Sequence, residues 1–306
     1  MTALPGAIGA VDIGGTKIAV GLVSRQGELL VHRQFPTQAE RGFDDGLARI
    51  VAHLRRLSAS YTLEGIGVGC TGPVDPFSGR IGVVEFLTAW EGADLVGGLT
   101  RAFDLPVALE NDADAAALAE SAWGVGRGAS RFIYVTISTG IGVGLIFDGC
   151  LYRGVDGAHP EIGHHVIDPS GPACGCGAHG CWESLASGSA LARLSPTPGW
   201  DARQVCAAAA AGEPSARWAV ARVGYYLGVG LANLVTLFIP DVIALGGGLM
   251  NSRGLFWEHI EATVRSQCGY VPYQKTRLLP AVLGPQVGLI GAACTWLQRD
   301  KYEETA

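Results

Sequence analysis

The stretch from His159 to Ser184 holds four of the chain's seven histidines and three of its eight cysteines. Cys174, Cys176 and Cys181 put three soft ligands within eight residues. Glycines separate them, so the loop is free to wrap a small ion. The bland alternative is reduced thiols in a loop. Glu161 and Glu183 stand near the two ends, and each alone also reads as a solvated surface charge. The other five cysteines (Cys70, Cys150, Cys206, Cys268, Cys294) are scattered singly and read as small buried thiols, not as a secreted disulfide scaffold.

A second concentration of chemistry is built from small residues. Gly14-Gly15-Thr16 joins a β-branched run at 7–13 to another at 17–23, which reads as strand, tight turn, strand. Asp12 ends the first strand. A carboxylate there can hold Mg²⁺, usually through water, while Thr16 and Lys17 face phosphates. The same grammar returns half a chain later, where Ser138-Thr139-Gly140 joins strands at 131–137 and 141–147. Ile18-Ala-Val-Gly-Leu-Val23 matches Ile141-Gly-Val-Gly-Leu-Ile146, and Val11-Asp-Ile13 matches Val135-Thr-Ile137 with one residue of slippage. Chance likeness between β-hairpins is the alternative to duplication. Duplication predicts two similar α/β domains, each offering a hairpin turn to a cleft. Short Gly-rich turns present backbone N–H groups with no side chains in the way, so two of them can cradle a polyphosphate. The strand–turn–helix phosphate loop Gly-x-x-x-x-Gly-Lys-Ser/Thr is absent.

Other elements must position these turns. A third strand is expected at 28–35. A helix is expected at 43–57, with Phe43, Leu47, Ile50, Val51 and Leu54 at helical spacing and Arg55 and Arg56 at its end. Further strands are read at 65–70, 107–109 and 243–249, and helices at 113–123 and 286–298. Hydrophobic residues make up 48% and charged residues 16%, the composition of a folded globular chain. A net charge of -6 argues against a general nucleic-acid binder. The N-terminal residues lack a signal-peptide pattern. The longest apolar stretch, Leu227–Ile239, is interrupted by Asn233 and reads as too short for a bilayer. The expectation is a cytoplasmic protein with neither membrane nor nucleic acid as partner.

Asp12-Ile-Gly-Gly-Thr-Lys17, Glu110-Asn-Asp-Ala-Asp114, Glu161-Ile-Gly-His164 and Cys174-Gly-Cys-Gly-Ala-His-Gly-Cys-Trp-Glu183, in this order, resemble the ROK family (repressors, open reading frames and kinases). The resemblance runs from about residue 8 to about 296. It implies an actin-like ATPase (ribonuclease-H-like) α/β fold, with two similar domains around a cleft. The N-terminal domain is expected at 1–120, joined by the C-terminal helix 286–306. The larger C-terminal domain is expected at 121–285, with a zinc loop at 159–184. The implied activity is ATP-dependent phosphorylation of a hexose, by a homodimer. The first motif starts at residue 12, ahead of which a repressor's helix-turn-helix domain has no room, so the expectation is the kinase branch.

The resemblance also assigns roles. Asn111 looks like a ligand of a sugar hydroxyl and Asp112 like the general base, a carboxylate able to orient the hydroxyl and accept its proton. Read alone, the same residues simply cap the helix that follows. Glu161, His164 and Glu183 resemble the family's sugar ligands. His164, Cys174, Cys176 and Cys181 resemble a structural Zn²⁺ site, with His179 a weaker fourth ligand and His165 beside the site or at the surface. Such a zinc would pin the loop so that Glu161 and Glu183 point at the sugar. Gly14, Gly15, Thr16, Lys17, Ser138, Thr139 and Gly140 are the expected ATP and Mg²⁺ contacts, with Gly247 in an adenosine-binding turn. Asp75 lies in a family loop that lines the cleft, where a turn residue is the plainer reading.

The sequence departs from the family's pattern at several positions, Thr71 among them, where a proline is usual. Asp114 replaces a usual asparagine, Ser138 a usual glycine, and His159-Pro160 precedes Glu161 where Ala-Gly is common among the glucokinases. His-Pro-Glu also occurs in the fructokinase-like branch, while the intact cysteine pattern leans toward glucose. The expected activity is therefore a glucokinase acting on the 6-hydroxyl. A fructokinase and an N-acetylglucosamine or N-acetylmannosamine kinase are the alternatives. A non-catalytic sugar sensor is the reading from another class, which the intact Asp12, Lys17 and Asp112 disfavour.

Overall fold

The computed structural model describes residues 4–303. In chain order its elements are strands β1 (Gly6–Ile13), β2 (Lys17–Val23) and β3 (Leu29–Pro36), helix α1 (Phe43–Leu57), strands β4 (Thr62–Cys70), β5 (Val74–Asp75) and β6 (Arg80–Ile81), helix α2 (Leu95–Phe103), strand β7 (Val107–Asn111) and helix α3 (Asp112–Trp123). There follow strands β8 (Arg131–Ile137), β9 (Ile141–Phe147) and β10 (Cys150–Leu151), helices α4 (Trp182–Ala186), α5 (Gly188–Arg193), α6 (Ala202–Ala210) and α7 (Pro214–Phe238), strand β11 (Val242–Gly246), helix α8 (Trp257–Gln267), strand β12 (Arg277–Pro280) and helix α9 (Val287–Gln298).

Two five-stranded sheets carry the fold, in the orders β3-β2-β1-β4-β7 and β10-β9-β8-β11-β12. The first pairs β1 with β2 and β2 with β3 antiparallel, then β1 with β4 and β4 with β7 parallel. The second pairs β9 with β10 antiparallel, then β8 with β11 and β11 with β12 parallel. The same strand order therefore appears twice along the chain. Contacts divide the chain into two compact units. One comprises Met1–Arg127, Gly144–Pro160 and Val282–Ala306; the other comprises Gly128–Val143 and Glu161–Ala281. The segment Gly144–Pro160 joins the first unit, whereas the sequence reading assigned it to the second domain.

In the first unit, alternation along the strands builds a core on each face of the sheet. Val11 and Ile13 of β1 pack on the side of α1 and α2, with Ile50, Leu54, Leu95 and Leu99. Ile8 and Ala10 pack on the side of α9, with Leu289, Ala292, Ala293 and Trp296. Each of the buried Val, Leu and Ile side chains contributes about 1.5–3 kcal/mol. The alternating glycines of β4 have a cause here. A Cβ at Gly67 would lie 1.7 Å from the carbonyl oxygen of Ala292, so the strand has no side chain where α9 crosses it.

In the second unit α7 is the central helix, packed against α4, α6 and α8. The stretch read as Leu227–Ile239 belongs to this longer helix up to Phe238, with Ile239 as its left-handed C-cap. The helix runs 25 residues and is apolar enough, by length and composition, to cross a membrane. Of its most apolar window, 61% is buried within the protein. Pro214 stands in its first turn, and Glu213 caps it by accepting from the N–H groups of Ser215 and Ala216. The strand expected at 243–249 ends earlier, at Gly246. Gly247 takes φ +88°, a left-handed value that stops the ladder, and a 3₁₀ segment follows.

Candidate active site

The parallel ladder brings the first unit's acidic residues to one sheet edge. Asp12 lies level with Gly69, Gly69 with Glu110, and Cys70 with Asn111. The C-terminal ends of β1, β4 and β7 are thus side by side, and β1 and β7 are about 10 Å apart at two strand spacings. Gly14 donates its N–H to the carbonyl oxygen of Lys17 (3.0 Å). Thr37 donates its hydroxyl to the carbonyl of Gly14 (2.6 Å) and its N–H to that of Thr16 (3.0 Å). Thr16 and Lys17 are exposed. Gly288, in the first turn of α9, packs against the Asp12 carboxylate. Burial, reinforced by the charge of Asp112 and opposed by Lys17, pushes the Asp12 carboxyl up to about 7.

Asn111 caps α3, its Oδ1 accepting from the N–H groups of Ala113 (2.8 Å) and Asp114 (3.4 Å). Asp112 is the first helical residue and accepts from the N–H of Ala113 (2.8 Å). Two buried pairs flank these residues. Glu110, just before them, pairs with Arg153, and Asp114, just after, pairs with His159 at 2.7 Å. Glu110 and Asp114 are almost fully buried. Burial pushes the Glu110 carboxyl up to about 7, against the pull of Arg153. The sequence reading missed both pairs. Its nearest signal was that Asp114 and His159 each depart from the family's pattern. Asp75 is exposed and folds back on its own turn, accepting from the N–H groups of Phe77 (2.9 Å) and Ser78 (3.1 Å).

In the second unit, the ligand atoms of His164, Cys174, Cys176 and Cys181 all lie within 4.8 Å of one another, a set able to hold a metal ion. Cys174 Sγ is 3.4 Å from His164 Nδ1, and Cys176 Sγ is 3.5 Å from Cys181 Sγ. His179 stays outside this set and pairs through its backbone with Ala173. His165 packs edge-on against Trp182, with its Nδ1 2.6 Å from the carbonyl of Ile162. Cys181 precedes α4. The buried Trp182 fastens that helix to α7 by donating its indole N–H to the carbonyl of Tyr226 (3.0 Å). Glu183 accepts the N–H of Ile141 at 2.9 Å, and Glu161 is exposed. The turn Ser138–Gly140 and Gly247 adjoin each other, since a Cβ on Gly247 would meet the backbone of Ile137.

The family model described as ROK family matches residues 8–299. The chain belongs to the ROK family. It is 31% identical over 304 residues to the glucokinase of Thermotoga maritima, covering 92% of this chain and 95% of that protein. The ROK hexokinase of Thermus thermophilus superposes with a TM-score of 0.85 at 36% identity, covering 96% of this chain and 99% of that one. The ROK family glucokinase of Streptomyces griseus, solved with glucose and AMPPNP, superposes with a TM-score of 0.82 at 32% identity, covering 94% and 98%. The ROK fold is the actin-like ATPase, ribonuclease-H-like one, and the doubled strand order of this chain agrees with it.

Proposed function

We propose that this ROK protein is an ATP-dependent hexose kinase that phosphorylates the 6-hydroxyl of glucose. One observation carries the reading: Asp12 and Asp112 share a sheet edge, close enough for the charge of Asp112 to raise the Asp12 carboxyl. A binding protein without turnover has no use for two interacting carboxylates whose repulsion costs stability. A kinase uses both, one toward the metal of the nucleotide and one toward the acceptor hydroxyl.

Asp112 is assigned as the general base. The cap of α3 fixes the backbone on either side of it, so its carboxylate is held ready to orient the hydroxyl and take its proton. Asn111, Glu161, His164 and Glu183 are assigned to the sugar. Lys17 and the turns Gly14–Thr16 and Ser138–Gly140 are assigned to the phosphates, through N–H groups other than those of Gly14 and Ser138, which bond within their own turns, and Gly247 to the adenosine side. Asp12 would hold Mg²⁺, which when bound neutralises phosphate charge. His164, Cys174, Cys176 and Cys181 fit a structural zinc ion. Tetrahedral Zn–S and Zn–N bonds give S–S edges of about 3.8 Å and S–N edges of about 3.6 Å. The observed 3.5 and 3.4 Å contacts match that size. With four protein donors no position is open, so the ion would order the loop and take no part in the chemistry. The reading carries with it a cytoplasmic homodimer.

The test is ADP release with ATP and Mg²⁺ across glucose, fructose, mannose, N-acetylglucosamine and N-acetylmannosamine. Glucose is expected to dominate. Dominant turnover of another of these sugars would replace glucose in the proposal. No turnover on any of them, with hexose binding intact, would sink it.

A further inference from the structure

We infer that Glu183 is a positioning residue for the turn Ser138–Gly140, and that the metal loop is the frame which holds this turn in shape. The inference rests on the kinase reading for the identity of the turn's ligand, a nucleotide polyphosphate. It assigns Glu183 a task besides any contact with sugar.

Ile141 is the first residue after the turn, and the metal loop grips it from two directions. Its N–H donates to Glu183 Oε2 at 2.9 Å, and Glu183 stands two residues after Cys181. Its carbonyl group abuts Gly163, the residue before His164, where a Cβ would lie 2.1 Å from the oxygen. Both neighbours of Ile141 are therefore set by residues adjacent to the four-donor cluster.

The rest of the turn is fastened to the helix that follows. The carbonyl of Ser138 accepts the N–H of Gly188 (2.7 Å), and that of Thr139 accepts the N–H of Ser189 (3.2 Å). The carbonyl of Gly140 accepts the N–H of Ser138 (2.9 Å). All three carbonyl oxygens are thus engaged inside this unit. That matters for an anion, because an exposed carbonyl would repel a phosphate that the N–H groups of the same turn should attract. Glu183 adds the fourth bond and fixes where the turn ends. One carboxylate oxygen is committed to the backbone, so the side chain cannot turn wholly to a sugar without releasing Ile141.

The experiment uses the zinc-loaded full chain and measures the affinity of Mg–AMPPNP without hexose by calorimetry. Glu183→Ala should weaken it about 3- to 10-fold, less than the full worth of a bond to a charged acceptor, because Glu183 acts on the nucleotide only through the turn. Glu183→Gln keeps an oxygen for the Ile141 N–H and should stay close to wild type. Hydrogen exchange at the Ile141 amide should accelerate in Glu183→Ala and not in Glu183→Gln. Chelating the metal from the wild-type chain should accelerate it as well. Wild-type nucleotide affinity in Glu183→Ala together with unchanged Ile141 exchange overturns the role of Glu183, and unchanged exchange after chelation overturns that of the metal loop. Should the wild-type chain bind no Mg–AMPPNP at all, the kinase reading fails. The exchange of Ile141 then decides by itself whether Glu183 and the loop hold the turn.

Discussion

The two hairpin turns differ in where their charge comes from. The turn after Ile13 carries its own, with Asp12 on the strand before it and Lys17 opening the strand after it. The turn after Ile137 has Thr136 where the first has Asp12, and its carboxylate, Glu183, comes from 42 residues beyond the peptide that it holds. A duplicated backbone has thus been supported in two ways. One half takes its charge from residues next in sequence and the other from a loop that the first half lacks. On the proposed kinase reading, the first turn is where a substitution alters chemistry, and the second is where a substitution alters shape.

The largest expected effect tests the chemical half. Asp112→Ala should lower kcat by about 10²–10⁴-fold while hexose affinity stays within a few-fold, because the base acts mainly in the transition state. Near-normal kcat would leave Asp112 as a residue of the helix start alone. Next comes Asp12→Asn, which should weaken Mg–AMPPNP by about 10- to 100-fold, more than Glu183→Ala does. Equal losses in the two variants would erase the distinction between the turns. In the wild type this affinity should fall as pH drops through about 7, where Asp12 takes up its proton, and Asp12→Asn should flatten the profile.

A smaller effect sharpens the contrast. An added methyl at Gly140 would meet the Glu183 carboxylate at 2.2 Å, whereas one at Gly15 would meet the Cβ of Phe86 at 2.6 Å. Gly140→Ala should displace the carboxylate and reproduce the nucleotide loss of Glu183→Ala. The double variant should then be no weaker than either single one. Additive losses in that cycle would show that the methyl acts elsewhere. Gly15→Ala should be indifferent to Glu183.

The smallest effect is on stability. Asp12 holds its proton to about pH 7 in the folded chain but only to its ordinary value of 3.8 when unfolded. The folded state binds the proton more tightly, so this group's contribution is full below the lower value and is lost as pH rises toward 7. The Tm of Asp12→Asn relative to wild type should therefore rise between about pH 5 and about pH 8, by a few °C. A constant difference across that range would show that Asp12 is not titrating there.

Much of the scaffold was legible because the code for it is local. The β1–β2 and β8–β9 hairpins announce themselves as β-branched runs around small polar turns. The four metal-type donors sit within eighteen residues of one another in sequence, from 164 to 181. The Glu183–Ile141 bond was not legible, because a backbone N–H leaves no trace in a side-chain motif. Nor was the Glu110–Arg153 pair, whose members are 43 residues apart and join a strand end to a loop. Strand β11 was read three residues too long because a left-handed φ at Gly247, and not a change in polarity, ends it.

The buried Asp114–His159 contact constrains how this sequence can change over generations. An imidazole has an uncharged form at neutral pH that an apolar surrounding tolerates, whereas a carboxylate enclosed at 1% exposure carries the full penalty of its charge. Loss of one member of a buried pair costs about 3–5 kcal/mol, against a total stability of about 5–15 kcal/mol. The two orders of replacement are therefore unequal. A lineage that exchanges this pair for an uncharged one passes more easily by changing position 114 first and position 159 second, and relatives caught midway should carry the histidine without the aspartate more often than the reverse.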